Sequence, residues 1–170
     1  MGYHTDFEGA FQLSEPLTDE QREYLHKFCE SRKMKRSTQK IALIEDDMSS
    51  HVLADLPIGR EGEFYVDGKG FMGQDEDDTV LESNSAPDTQ PGLWCQWQPG
   101  PDGDSIEWDG GEKFYGYTEW IEYIVENFLK PWGHTLNGEV HWSGEESGDL
   151  GVIIVEDNNV STKAGVITYE

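Results

Sequence analysis

The sequence predicts an α+β fold in which an antiparallel sheet carries two amphipathic helices. Three observations predict it. Tyr3, Thr5, Phe7, Phe11 and Leu13 fall on one parity and His4, Asp6, Glu8 and Gln12 on the other, the period of two that marks a half-buried strand. Two later segments place apolar side chains at helical spacing, and the chain after residue 135 returns to short alternating runs separated by turn residues. A length of 170 residues suits a single domain, and folding at that size buries roughly 70% of the surface the unfolded chain exposes. The apolar fraction is only 35%, but 12% of the residues are aromatic, and large rings fill a core with few side chains.

The elements follow in order. Gly9 interrupts the apolar face of the first strand and marks a bulge or a close backbone approach. Pro16 ends that strand. Thr18 with Gln21 forms a capping-box pattern, and Asp19 and Glu20 suit a helix N-terminus. The helix runs to about Arg32, with Tyr24, Leu25, Phe28 and Cys29 on one face. A basic stretch, RKMKRSTQK, comes next. Residues 41–92 read as an irregular acidic insert, with short helical pieces at 41–43 and 48–56 and a small hairpin pairing 63–66 with 70–72. Within it, GQDEDDTVLESNSAPDTQPG is polar and rich in breakers and reads as an exposed, mobile loop. Residues 93–98 and 105–108 form a hairpin around Pro99-Gly100-Pro101-Asp102-Gly103-Asp104. Residues 118–130 are the clearest helix, striped by Trp120, Ile121, Ile124, Val125, Phe128 and Leu129 and stopped by Pro131. Strands at 136–142, 152–156, 160–163 and 166–169 finish the chain, the middle two joined by a turn at Asp157-Asn158-Asn159. The order β-α-(insert)-β-β-α-β plus a C-terminal hairpin is ferredoxin-like, and both helix stripes are expected on one face of the sheet.

Charge excludes more than any motif does. Thirty-five acids against twelve bases give a net charge of −23. Residues 1–40 hold seven of each, so the whole excess belongs to the rest of the chain. Such a chain repels DNA, RNA and anionic membranes, whose own fields are negative. Direct nucleic-acid binding and membrane binding are therefore not expected. Cys29 and Cys95 match no metal or redox spacing. The opening MGYHTDFEG lacks the basic start and apolar run of a secretory leader, and Asp6 stands where a myristoylation signal wants Ser or Thr. A cytoplasmic location is the expectation.

Chemistry-bearing constellations are few. The sequence has no G-x-S-x-G, no P-loop, no G-x-G-x-x-G and no zincin or deaminase pattern, so no enzyme and no cofactor is expected. His4, Asp6 and Glu8 share one strand face and could converge on a metal, although a solvated face is the plainer reading. The acidic runs Asp75-Glu76-Asp77-Asp78 and Asp102/Asp104/Glu107/Asp109 raise calcium. The twelve-residue loop needs Gly sixth and Glu twelfth, and those places hold Val80 and Ala86 in one run and Glu107 and Lys113 in the other. All six Trp lie between 94 and 142; core packing is the plainer account. Trp94, Trp97, Trp108 and Trp142 could also line a pocket for a nucleotide-like ligand.

The runs GLWCQW, EWDGGEKFYGYTEWIEYIVENFLKPWG and LNGEVHWSGEESGDLGVIIVEDNNV, with the opening GYHTDFEGAFQL, resemble a family of small, acidic, mostly uncharacterised phage and bacterial proteins. The resemblance implies a phage or mobile-element setting and carries over no functional residue. The expectation is a non-enzymatic acidic binding protein, a phage-type inhibitor or nucleic-acid mimic. It would present Asp102, Asp104, Glu107, Asp109 and Asp75, Glu76, Asp77, Asp78 to a host protein with a basic nucleic-acid-binding surface. A Trp-lined ligand-binding module is the alternative, and a small enzyme with an unrecognised site is the second.

Overall fold

The computed structural model of the chain describes residues 2–44, 50–66 and 78–169. Their strands are β1 (Thr5–Leu13), β2 (Lys35–Arg36), β3 (Val80–Glu82), β4 (Trp97–Pro99), β5 (Ser105–Trp108), β6 (Leu136–Gly144), β7 (Leu150–Glu156) and β8 (Asn159–Ala164). The helices are α1 (Asp19–Glu30), α2 (Thr38–Ala42), α3 (Ser50–Leu53), α4 (Tyr117–Ile124) and α5 (Lys130–Trp132), with a π-helical turn at Val125–Leu129 between the last two. The chain divides into two compact units, one of Met1–Leu17 with Gln96–Glu170 and one of Thr18–Cys95. Among the described residues no helix is long and apolar enough to cross a membrane.

The first unit is built on a six-stranded sheet of order β4-β5-β1-β6-β7-β8 with every neighbouring pair antiparallel. Strand β1 pairs along its whole length with β6, from Thr5↔Gly144 to Leu13↔Leu136. The alternation read from the sequence decides which side is buried: Phe7, Phe11 and Leu13 are inside, joined by Trp97, Ile106, Val140, Ile153 and Val155. Phe7 meets Trp97, Trp108, Phe114 and Tyr117 edge-on at 5.0–5.8 Å between centroids, the T-shaped geometry that aligns ring edges with faces. Helix α4 contacts both β4 and β8, opposite edges of the sheet, so it crosses this inner face and buries Trp120, Ile121 and Ile124 on it.

Two details differ from the expected helix over 118–130. The helix runs on through Pro131 to Trp132 and ends at Gly133, whose φ of +82° supplies the left-handed C-terminal stop. Ahead of the proline the backbone widens, and the Lys130 N–H bonds Val125 O, five residues back. A proline inside a helix lacks a donor and crowds the carbonyl four residues earlier; the π turn gives that carbonyl room.

Glycines allow close approaches in the sheet, Gly9 and Gly151 among them. At Gly9 (φ +102°) a Cβ would lie 2.7 Å from the Glu139 carbonyl oxygen of β6, so the interruption seen in the sequence is a close backbone approach. Gly151 pairs with Trp142, whose ring lies over it; a Cβ there would sit 2.4 Å from the ring and 2.5 Å from the Lys163 carbonyl oxygen. The β7–β8 turn is Asp157-Asn158, both with positive φ (47° and 71°), which is the type I′ geometry that matches strand twist. The ladder ends with the Gly165 N–H on Leu150 O. Residues 166–169, expected as a last strand, form none.

The second unit starts with the predicted capping box: Thr18 accepts from the Gln21 N–H, and Gln21 accepts from the Thr18 N–H, both at 3.1 Å. Its stripe of Tyr24, Leu25, Phe28 and Cys29 is buried. The insert is more ordered than its composition suggests. Strand β3 pairs with β2, and Thr79, Pro87 and Gln90 are buried. The physical reason is the basic stretch. Arg36 donates to Thr79 Oγ1 (2.7 Å), Arg32 to Ser83 O (2.8 Å) and Asn84 Oδ1 (3.2 Å), and Lys35 pairs with Asp88 (3.0 Å). Residues 78–91 are therefore not a free loop, while 67–77 lie outside the described residues. Residues 63–64 lie in a turn and 65–66 are irregular instead of a hairpin strand, because the buried Glu63 carboxylate accepts the N–H groups of Arg60 (2.7 Å) and Glu61 (3.2 Å), a local bond that competes with ladder pairing. Their expected partner, 70–72, lies outside the described residues. Residues 93–96, expected in a strand, are irregular; the Leu93 carbonyl accepts from Lys33 N–H in this unit (2.8 Å).

Replacing Gly151 with Ala is expected to destabilise the first unit by about 1–3 kcal/mol, the usual penalty for overpacking. Denaturant unfolding followed by Trp fluorescence checks this, and Val152→Ala, on the opposite face of the same strand, serves as the comparison.

Candidate functional site

The strand alternation that buries one face of the sheet leaves the other open. On β1 the outward residues are Asp6, Glu8 and Gln12, and on β6 they are Asn137, Glu139, His141 and Ser143, all exposed. On β7 they are the half-buried Leu150, Val152 and Ile154 and the exposed Glu156, and on β8 Ser161 and Lys163. The register sets them in rows: Glu8, His141, Val152 and Lys163 in one, Ala10, Glu139, Ile154 and Ser161 in the next. Glu107 stands on the same side, two residues from Ser105, which pairs with Gln12. The open face is thus an apolar strip on β7 bordered by carboxylates from β1, β5, β6 and the end of β7. Same-side residues along a strand are about 6.5–7 Å apart and neighbouring strands about 4.8 Å, so the sheet fixes the spacing between these charges.

The predicted acidic cluster lies beside this face. Asp102, Asp104 and Asp109 are exposed and Glu107 is half-buried. Their hairpin is tied to the end of β1 by Leu13 N–H on Asp104 O (2.9 Å) and Leu17 N–H on Gly103 O (2.8 Å). Asp109 closes a turn by accepting the Gly111 N–H at 2.7 Å, so its side chain is already engaged. Asp78 is exposed; Asp75, Glu76 and Asp77 lie outside the described residues. The strand pattern itself is the signal that locates the open-face carboxylates: Asn137, Glu139 and His141 alternate with Gly138, Val140 and Trp142, and Ile154 and Glu156 with Val155.

Of the four tryptophans named above, Trp97, Trp108 and Trp142 lie in the first unit and Trp94 in the second. Trp97 is fully buried and donates its N–H to Tyr117 O (2.8 Å). Trp108 donates to Gln96 Oε1 (3.2 Å) and Trp142 to Asp149 Oδ1 (3.1 Å). Trp94 belongs to the second unit, with the Arg32 guanidinium 6.0 Å from its ring centroid. Two clefts of the molecule, one at Phe28, Lys33 and Tyr65 and one at Glu122, Val125 and Val160, are lined without a tryptophan.

His4 and Asp6 do meet, at 2.9 Å. His4 Nδ1 accepts the Lys113 N–H (3.4 Å), which leaves Nε2 to donate to the carboxylate. Both ring nitrogens are thereby engaged, and among the described residues no three His, Cys, Asp or Glu side chains gather in a way that could hold a metal.

Among the described residues Lys33 is the strongly perturbed titratable group. Lys33 is buried, and its ammonium donates to Phe28 O (2.5 Å) and Ser31 O (2.6 Å) at the C-terminal end of α1 while lying 4.1 Å from the Phe28 ring centroid. Burial pulls its pKa down to about 8. Its contacts are those of a helix-end staple.

The chain matches no protein-family model, no curated protein and no solved structure.

The Lys33 pKa sets a pH dependence. The unfolded chain, with lysine near pKa 10.4, binds more protons than the folded one between about pH 8 and that value. The burial penalty is full below pH 8 and is relieved as pH rises through the window. Relative to Lys33→Met, the wild type should gain roughly 3 kcal/mol of stability across the window. Urea unfolding at pH 7.5, 9 and 10.4 checks it; a constant difference would show that Lys33 stays fully charged in the fold.

Proposed function

We propose that this protein is a non-enzymatic acidic binding protein whose open sheet face and adjoining hairpin occupy a basic, nucleic-acid-binding groove on another protein. The observation that carries this reading is the arrangement of carboxylates: Glu8, Glu107, Glu139 and Glu156 project from one rigid antiparallel sheet, with Asp102 and Asp104 on a hairpin anchored to its central strand. Duplex phosphates repeat along each strand at distances comparable with the same-side spacing of a β-strand. A sheet holds such charges in place before binding, so less conformational freedom is lost on association. The apolar strip Leu150, Val152 and Ile154 supplies surface that can be dehydrated between the charged borders, as interface centres require. The phage-type, inhibitory setting rests on the sequence resemblance described above, and a cytoplasmic site of action goes with it.

The same reading extends to topology. The succession β4-β5-β1-β6, with α4 between β5 and β6 in the chain, supports a ferredoxin-like core to which β7 and β8 are added as a C-terminal hairpin.

Binding of such a surface is dominated by charge, so affinity for the partner should fall steeply between low and physiological salt, where the screening length is about 8 Å. Reversing Asp102, Asp104 and Glu107 to Lys should slow association more than it speeds dissociation, because long-range charge steers encounter, while the fold survives since exposed charges contribute little stability individually. The check is to capture partners from a bacterial lysate over a salt series, measure rates for the one retained, and test whether it releases bound duplex when this protein is added. A partner indifferent to salt and to the reversals, or one that keeps its duplex, would overturn the reading.

A further inference from the structure

The two edges of the six-stranded sheet are treated differently. The β4 edge is three residues long and ends in Pro99, a short, proline-capped edge of the kind that resists further pairing. The β8 edge is six residues, Asn159–Ala164, with no proline, and all but Val160 are exposed. Its outward hydrogen-bonding groups can be assigned. Gly165 N–H bonds Leu150 O of β7, and in an antiparallel ladder residues alternate between facing toward and away from the neighbour. Asn159, Ser161 and Lys163 therefore turn their backbone groups to β7, and Val160, Thr162 and Ala164 turn theirs outward.

We propose that this edge pairs with the same edge of a second copy of the chain, antiparallel about a two-fold axis at Thr162. In that register Thr162 faces its own counterpart, Val160 of each copy faces Ala164 of the other, and Lys163 faces Ser161. Threonine pairs are favourable cross-strand neighbours, and no like charges meet. Charge selects the place at which two copies can meet. Two bodies of net charge −23 repel wherever their acids approach, yet 159–169 contains Lys163 and no acid. The register also brings Val166, 84% exposed, and Ile167, 42% exposed, beside the Asp157-Asn158 turn of the other copy. A two-fold isologous contact closes on itself and leaves no free edge there.

The test is sedimentation equilibrium of the full chain over a range of concentrations and salt. The self-pairing account expects twice the 19.3 kDa chain mass, with association strengthened on going from 20 to 150 mM salt because like-charge repulsion is screened, the reverse of the salt effect on a basic partner. Thr162→Pro removes an outward N–H without breaking a β7–β8 bond and should give a monomer of unchanged circular dichroism. Amide exchange offers a reading on the unaltered chain: Val160, Thr162 and Ala164 should slow as protein concentration rises. A monomer at all concentrations and salts, a dimer that survives Thr162→Pro, or exchange at these amides that ignores concentration would overturn the proposal, as would an edge occupied only by another protein.

Discussion

An excess of 23 negative charges is the constraint on which the structure depends. Self-repulsion of that size works against a compact state, and the chain has only twelve bases to offset it. It uses them unevenly. In the second unit Arg32, Lys35 and Arg36 bind the neighbouring segment 79–88 through Ser83, Asn84, Thr79 and Asp88. In the first unit the acids are instead displayed, on the open side of a sheet whose other side is held by Phe7, Phe11, Trp97 and the stripe of α4. The aromatic core is what allows the display: rings meeting edge to face supply dense burial from few residues, so the outward positions are free to be acidic.

Legibility in the sequence followed the strength of local periodicity. Strand β1, the α1 capping box, the stripe of α4, β5 and the 157–158 turn were all readable, because each is written in a short stretch and none depends on distant partners. What escaped was decided by contacts far along the chain. Segment 79–90 looks like a loop until the bases at 32–36, some 45 residues earlier, are placed beside it. Residues 93–96 alternate like a strand, but Leu93 is claimed by Lys33. Pro131 reads as a stop, and only the π turn before it reveals how the helix continues to Gly133.

The candidate surface was half legible. The hairpin acids Asp102 and Asp104 could be picked out as a fixed cluster, whereas Glu8, Glu139 and Glu156 become neighbours only once β1, β6 and β7 are set side by side. No local pattern announces that juxtaposition, since register is a property of the assembled sheet. For three of the tryptophans the plainer account of their clustering, packing, has support in the fold: the N–H groups of Trp97, Trp108 and Trp142 are directed to Tyr117, Gln96 and Asp149.

If the arrangement of carboxylates matters and not merely their number, two variants of equal charge must behave differently. One reverses Glu8, Glu139 and Glu156 on the open face; the other reverses Glu15, Glu30 and Glu122, which are exposed elsewhere. Each raises the net charge by six. The decisive measurement is the affinity of both variants for the captured partner at one fixed ionic strength. The account predicts that the open-face variant loses binding by at least tenfold more than the other. Equal losses would contradict it and reduce the acidic surface to a bulk charge effect.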